Sequence, residues 1–213
     1  MVLSKGAGLL SQGEHTGEEN LVDILRVYFK RNYVGLIHRL DRNTSGLMIV
    51  AKRSKSAERL SEQLQNGKLV RHYHAILFGT LKDEAIWSHS LLKNEKTNEV
   101  KVVSTSTPKA KKAVLKVFPL KNFLHPQTKS PLTAARFELE TGRSHQIRVQ
   151  SAASGHPLIG DAKYGGVKVS TLFSRPALHS CTLSFEHPMS HEQMTFEERY
   201  PADMLETFST ALE

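Results

Sequence analysis

The sequence predicts an α+β fold: a mixed, mostly antiparallel sheet flanked by helices and loops. Two observations lead there. Segments with strand patterning outnumber segments with helical spacing, and several of the strands follow one another at hairpin distance. The composition agrees, because 39% hydrophobic and 23% charged residues describe an ordinary globular chain. At 213 residues one substantial domain is expected, spanning 1–213.

Each element has a local reason. Asn20 can cap a helix whose apolar positions Leu21, Ile24, Leu25 and Tyr28 follow the helical spacing. "LMIVA" (47–51), after Gly46, reads as a buried strand. "SKSAERLSEQLQNG" predicts a helix capped by Ser54 or Ser56, with Ala57, Leu60 and Leu64 on one face and Gly67 as its stop. "HYHAILFG" (72–79) is a strand ended by Gly79. Between 81 and 131, strands are expected near 100–104 and 113–118. "TAARFELE" alternates Ala135, Phe137 and Leu139 with Arg136, Glu138 and Glu140, a half-buried strand. "TGRSHQIRVQSAASGHP" turns at Gly142, can be capped by Ser144, and runs as a helix to Gly155. "CTLSFEHP" and "MTFEERY" close the chain as two alternating strands.

Composition narrows the function classes. No apolar run approaches the roughly 20 residues that span a bilayer, and the N-terminus lacks a signal-peptide layout. Cys181 is the only cysteine, so an intrachain disulfide is impossible and a cytoplasmic location fits. A net charge of +8 attracts polyanions, and nucleic acid is the commonest. Eleven histidines raise the question of a metal. His72 and His74 share a strand face, but no third ligand stands at a familiar spacing, so no metal is expected. P-loop, G-x-G-x-x-G, H-E-x-x-H and G-x-S-x-G motifs are absent, which removes support for ATP, dinucleotide, zinc-protease and serine-hydrolase chemistry.

What remains is Asp41 in "HRLDRNTSGLMIVAK" (38–52) and two basic stretches. In extended chain Arg39 and Asp41, two apart, point the same way. A nucleophilic carboxylate in a cleft must stay charged, so it needs a guanidinium partner. Arg148, in "SHQIRVQ", is a candidate, with bidentate geometry that lysine lacks. A structural Asp–Arg bridge accounts for the same residues, and on these residues alone both readings stand.

"HRLDRNTSGLMIVAK" resembles the signature of the RluA-type pseudouridine synthases, which isomerise uridine within RNA. Three further blocks are similar in the same order: "RHYHAILFG", then "ETGRSHQIRVQ" followed by "GHPLIGDAKYGG", then "RPALHSCTLSFEHP". The resemblance runs from Lys5 to about Tyr200. There are departures. Gly6 follows Lys5 where the family has proline, so the opening segment is expected to be looser. Ser144 replaces a threonine, Gln150 a histidine, and Leu115 a common threonine.

The resemblance implies a pseudouridine synthase fold, no cofactor, and an RNA substrate, ribosomal or transfer RNA. It implies Asp41 as the catalytic aspartate, Arg148 as its ion-pair partner, and Tyr73 as the ring stacked on the flipped base. Arg39 and His38, with Arg143 and Lys52, become the expected RNA contacts. A monomer is expected, since a basic groove along RNA needs no second subunit. The competing class is an RNA-binding or RNA-folding protein that keeps the fold without catalysis. A glycosidase-like hydrolase would need a second carboxylate, and the nearest, Asp161 in "GDAKYGG", reads as a turn residue.

Overall fold

The computed structural model describes residues 1–13 and 17–206. The first elements in chain order are β1 (Val2–Lys5), α1 (Leu21–Phe29), β2 (Gly35–Leu36), β3 (Ser45–Ala51), α2 (Ser54–Gln65) and β4 (Val70–Phe78). Then come β5 (Ala85–Asn94), β6 (Glu99–Val103), β7 (Lys111–Leu124), β8 (Pro131–Leu139) and α3 (Gln146–Ala153). The chain continues through α4 (Gly166–Ser170), β9 (Leu178–Glu186) and β10 (Gln193–Glu197). Among the described residues, no helix is long and apolar enough to cross a membrane.

Among the described residues two compact units result, one within 1–72 and 179–199, the other of residues 73–178 and 200–206. In the first, β1 and β2 pair antiparallel with β3, β3 pairs parallel with β9, and β10 is antiparallel to β9. All seven residues of β3 are buried, as a continuous apolar run requires of a strand covered on both faces. Leu47, Ile49, Leu60, Leu183 and Phe185 form its core. In the second unit the strand order is β4-β8-β7-β5-β6, and the pairs β8–β7, β7–β5 and β5–β6 are antiparallel. One core gathers Ile76, Leu132, Ile159 and Met204; another gathers Leu91, Val100, Ala113 and Val149.

Several expectations need correction. Asn20 does cap α1, accepting from the Asp23 amide, but the buried face is Leu21, Val22 and Leu25, while Ile24 and Tyr28 are exposed. Neither Ser54 nor Ser56 caps α2. The chain leaves β3 extended through Arg53, which occupies the cap position without a side-chain bond, so Ser54 is already helical. Ser144 likewise does not cap α3: His145, left-handed at φ 52°, takes that place. The acceptor comes from inside the helix instead, where Gln146 Oε1 receives the Arg143 amide at 2.9 Å. β7 is longer than expected, with a register shift between Pro119 and Lys121. Proline has no amide to give the ladder and marks such irregularities. β1, β5 and α4 were not expected at all. In β5 the buried residues Trp87 and Leu91 lie four apart with serines and a histidine between, which hides the period-two signal.

Gly46 shows why this backbone must be glycine. Its φ is +115°, and an added Cβ would stand 2.2 Å from the Ser180 carbonyl oxygen on the neighbouring strand. Gly46→Ala is therefore expected to cost about 3 kcal/mol or more, combining a forbidden backbone region with a backbone clash. Urea denaturation checks this; a loss under about 1 kcal/mol would show that β9 moves away freely.

Candidate active site

The first unit carries Asp41. Along the extended approach, His38 and Leu40 are buried, Arg39 is exposed and Asp41 is half-buried, the alternation an extended chain imposes. The Thr44 amide closes the turn on the Asp41 carbonyl at 3.0 Å. Residues 5–11 clamp both flanks of that aspartate. Ser11 Oγ accepts the Leu40 amide at 3.2 Å and donates to the Leu40 carbonyl at 2.6 Å. On the other side, the Gly8 amide donates to the Arg42 carbonyl at 2.9 Å, and Arg42 Nε returns a bond to Gly8 at 3.1 Å. Lys5, 1% exposed, sends its ammonium to the carbonyls of Gly6, Leu9 and Arg42 at 2.8, 2.8 and 3.0 Å. Despite Gly6, the opening segment is tied down by that buried cation.

His38 turns inward. Its Nε2 accepts the Ile49 amide at 3.3 Å, which couples the approach to β3. Burial first, and the Arg71 charge second, lower its pKa to about 3, so the ring is neutral. The linkage has a definite sign. A histidine with a depressed folded pKa contributes stability that is complete above its unfolded value near 6.5 and is lost as pH falls from there to about 3. His38→Gln, which keeps an acceptor, is expected to flatten the acid limb of the stability curve by up to about 1.4 kcal/mol per pH unit. Unfolding followed from pH 7 to pH 4 measures it; an unchanged slope would mean the ring titrates normally.

The second unit carries Arg148 and Tyr73. Arg148, on α3, is held bidentate by Asp161: Nε to Oδ2 at 2.8 Å and Nη2 to Oδ1 at 2.9 Å. The side chains are 11% and 1% exposed. Asp161 is itself fixed, its Oδ1 accepting the amides of Lys163 and Tyr164 at 3.0 and 3.2 Å. The Arg148 guanidinium carbon lies 5.1 Å from the centre of the Tyr164 ring. The Tyr164 hydroxyl meets His145 Nδ1 at 2.6 Å and accepts the Val100 amide at 3.1 Å. This network holds one edge of the guanidinium and sets its plane. Below it, Gln146 ties the "TGRSHQ" turn together, accepting from Thr141 and Arg143 and donating to Val114. Gln150 donates to the carbonyls of Trp87 and Ala113, so that departure from the family pattern serves the fold. Tyr73, on β4, is 4% exposed.

Arg143 and Lys52 are exposed. Arg143 Nε donates to the Lys112 carbonyl at 3.0 Å, and the Lys52 ammonium sits 4.7 Å from the Phe29 ring centre. Sequence reasoning missed Lys5, Ser11 and, as Arg148's partner, Asp161. The last had a signal: an arginine and an aspartate thirteen residues apart in one matched block.

Two human proteins described as RNA pseudouridylate synthase domain containing 1 and domain containing 4 share the fold. Each has a TM-score of 0.76, at 24% and 19% identity, covering 94% and 99% of this chain and 79% and 88% of theirs. The family model described as RNA pseudouridylate synthase matches residues 1–153, and the chain belongs to that family. It is 36% identical over 189 residues to the ribosomal large subunit pseudouridine synthase D of Vibrio cholerae, covering 81% of this chain and 54% of that protein. The Escherichia coli protein of the same name is 36% identical over 190 residues, with the same two coverages. An uncharacterized RNA pseudouridine synthase of Bacillus subtilis, YhcT, is 32% identical over 209 residues, or 96% of this chain and 67% of the relative. The chain thus spans about half the length of the two synthase D proteins.

Proposed function

We propose that this protein isomerises uridine to pseudouridine in structured RNA, ribosomal or transfer, acting as a cytoplasmic monomer whose two units serve one catalytic domain. The observation that carries the reading is Asp41, half-buried on a turn whose two flanking residues are clamped by residues 5–11. A catalytic carboxylate needs that fixed placement, and a solvated turn does not.

The reaction breaks the bond from the ribose to uracil N1, turns the base, and joins C5 to the ribose. The C5 proton leaves and N1 is protonated, so atoms and electrons balance without a cofactor. Asp41 supplies the carboxylate beside the ribose, whether it adds to the sugar or takes a proton from it. Arg148 keeps that carboxylate charged and oriented, with its plane set in advance by Asp161. Tyr73 provides the ring against the flipped base, whose extrusion costs a few kcal/mol. Arg39, Arg143 and Lys52 meet RNA phosphates, and His38 contributes by holding the approach that carries Arg39.

Ribosomal RNA is favoured as substrate by the synthase D relatives, named for the large ribosomal subunit. Tritium release from RNA labelled at uridine C5 tests the activity. Release from ribosomal or transfer RNA supports it; binding without release would leave an RNA-binding protein.

A further inference from the structure

The C-terminal end of α1 carries a surface of which the catalytic reading uses only Lys52. In "RVYFKRNY" (26–33), three aromatic and three basic residues fall within eight positions. Tyr28 is 74% exposed, Val27 79% and Tyr33 43%, and Lys30 and Arg31 are exposed beside them. Lys52 and Arg53 join the same patch. The Lys52 ammonium lies over Phe29, and the pairing of Gly35 with Ala51 brings the segment after Tyr33 alongside the chain entering Lys52.

This arrangement is not a by-product of making a helix. The helix dipole accounts for a cation in the last turn, and Arg26 fills that role, bonded to Asp23 at 2.8 Å and to the Asn32 carbonyl at 3.0 Å. It does not account for Lys52 and Arg53, which come from the far end of β3, or for an exposed tyrosine ring. Asp23, the helix's acid, is engaged by Arg26, and the charged residues that the patch itself offers, Lys30, Arg31, Lys52 and Arg53, are all cations. Exposed aromatic rings interleaved with cations suit a strand of unpaired nucleotides, whose bases stack and whose phosphates need countercharge. A membrane surface fits poorly, because α1 has only nine residues and three of its apolar side chains, Leu21, Val22 and Leu25, are buried in the protein.

We propose that this surface, formed by Tyr28, Lys30, Arg31, Tyr33, Lys52 and Arg53, docks a single-stranded RNA segment flanking the modified uridine. The inference rests on the RNA-modifying reading above. Asp41 precedes the first residue of β3, and the patch surrounds its last. Seven residues of strand separate them, about 20 Å at the usual rise. The patch therefore handles neighbouring nucleotides and not the flipped base.

The test uses a fluorescein-labelled single-stranded RNA of mixed sequence, titrated with the whole chain at several salt concentrations. Tyr28→Ala is expected to weaken binding about tenfold, in the range of one lost stacking contact, while Tyr28→Phe restores it and Tyr28→Leu does not. Lys30→Ala with Arg31→Ala is expected to reduce the slope of log K against log salt by about 1.4, two single-strand phosphates. Tyr28 is exposed, so thermal melting should be unchanged and affinity loss cannot be blamed on unfolding. Wild-type affinity and slope in all four variants would overturn the proposal. So would a loss confined to binding of phosphatidylserine vesicles. These titrations need no turnover, so an inactive wild-type protein that shows the expected affinity losses would sink the isomerase reading and leave the surface standing.

Discussion

Asp41→Asn is expected to abolish tritium release, by on the order of a thousandfold or more, while RNA affinity stays within about twofold of wild type. The amide is nearly isosteric, and the bonds that fix the flanks of residue 41 end on main-chain atoms: the Thr44 amide on the Asp41 carbonyl, Ser11 Oγ on the Leu40 amide and carbonyl, and the Gly8 amide on the Arg42 carbonyl. None of them needs the carboxylate. The turn survives, the charge is lost, and an amide neither adds readily to a sugar nor takes a proton from it. Ser11→Ala makes the converse change. It keeps the carboxylate and frees one flank, so turnover should fall about tenfold or more with misplacement, and Ser11→Thr should recover part of it. Full turnover by Asp41→Asn would falsify the mechanism whatever its effect on binding.

Asp161→Ala is expected to be the most damaging substitution for stability. Arg148 and Asp161 are both nearly buried and joined by two hydrogen bonds. Removing Asp161 takes both of these bonds from a nearly buried guanidinium, which costs about 3–5 kcal/mol. Two backbone amides, of Lys163 and Tyr164, also lose their acceptor. Replacing the whole pair is a different matter: Arg148→Met with Asp161→Leu should regain much of the stability, because the desolvated charges leave together. The double variant separates two roles. If Arg148 serves only the fold, tritium release returns with stability. If it also keeps the catalytic carboxylate charged, the refolded double variant stays inactive. Urea unfolding and tritium release on wild type, the single variants Arg148→Met and Asp161→Leu, and the double variant complete the cycle.

Much of this protein is legible because its signals are local. The period-two run at 132–139, the apolar run at 47–51 and the Asn20 cap each declare themselves within a few residues. The same holds for Asp41, since the outward alternation of Arg39 and Asp41 is a property of extended backbone. Where the local signal was ambiguous, expectation and structure part. Ser54 and Ser144 are good capping residues, but each was displaced by the conformation of a neighbour, Arg53 extended and His145 left-handed. Ile24 and Tyr28 fit a helical face that α1 does not bury.

The sequence by itself therefore determined the fold class and the family, and put Asp41 forward as the candidate acid. Those follow from short-range periodicity and from ordered motif blocks, which need no knowledge of distance. Only the tertiary structure decided what holds each functional group. It brought Ser11 and Lys5 to the flanks of Asp41 across some thirty residues or more and turned His38 inward onto Ile49. It also gave Arg148 its carboxylate in Asp161. Such contacts have no period, because they arise where separate segments are packed together. The physical reason is that a buried charge or a strained turn must find partners wherever the packed chain supplies them.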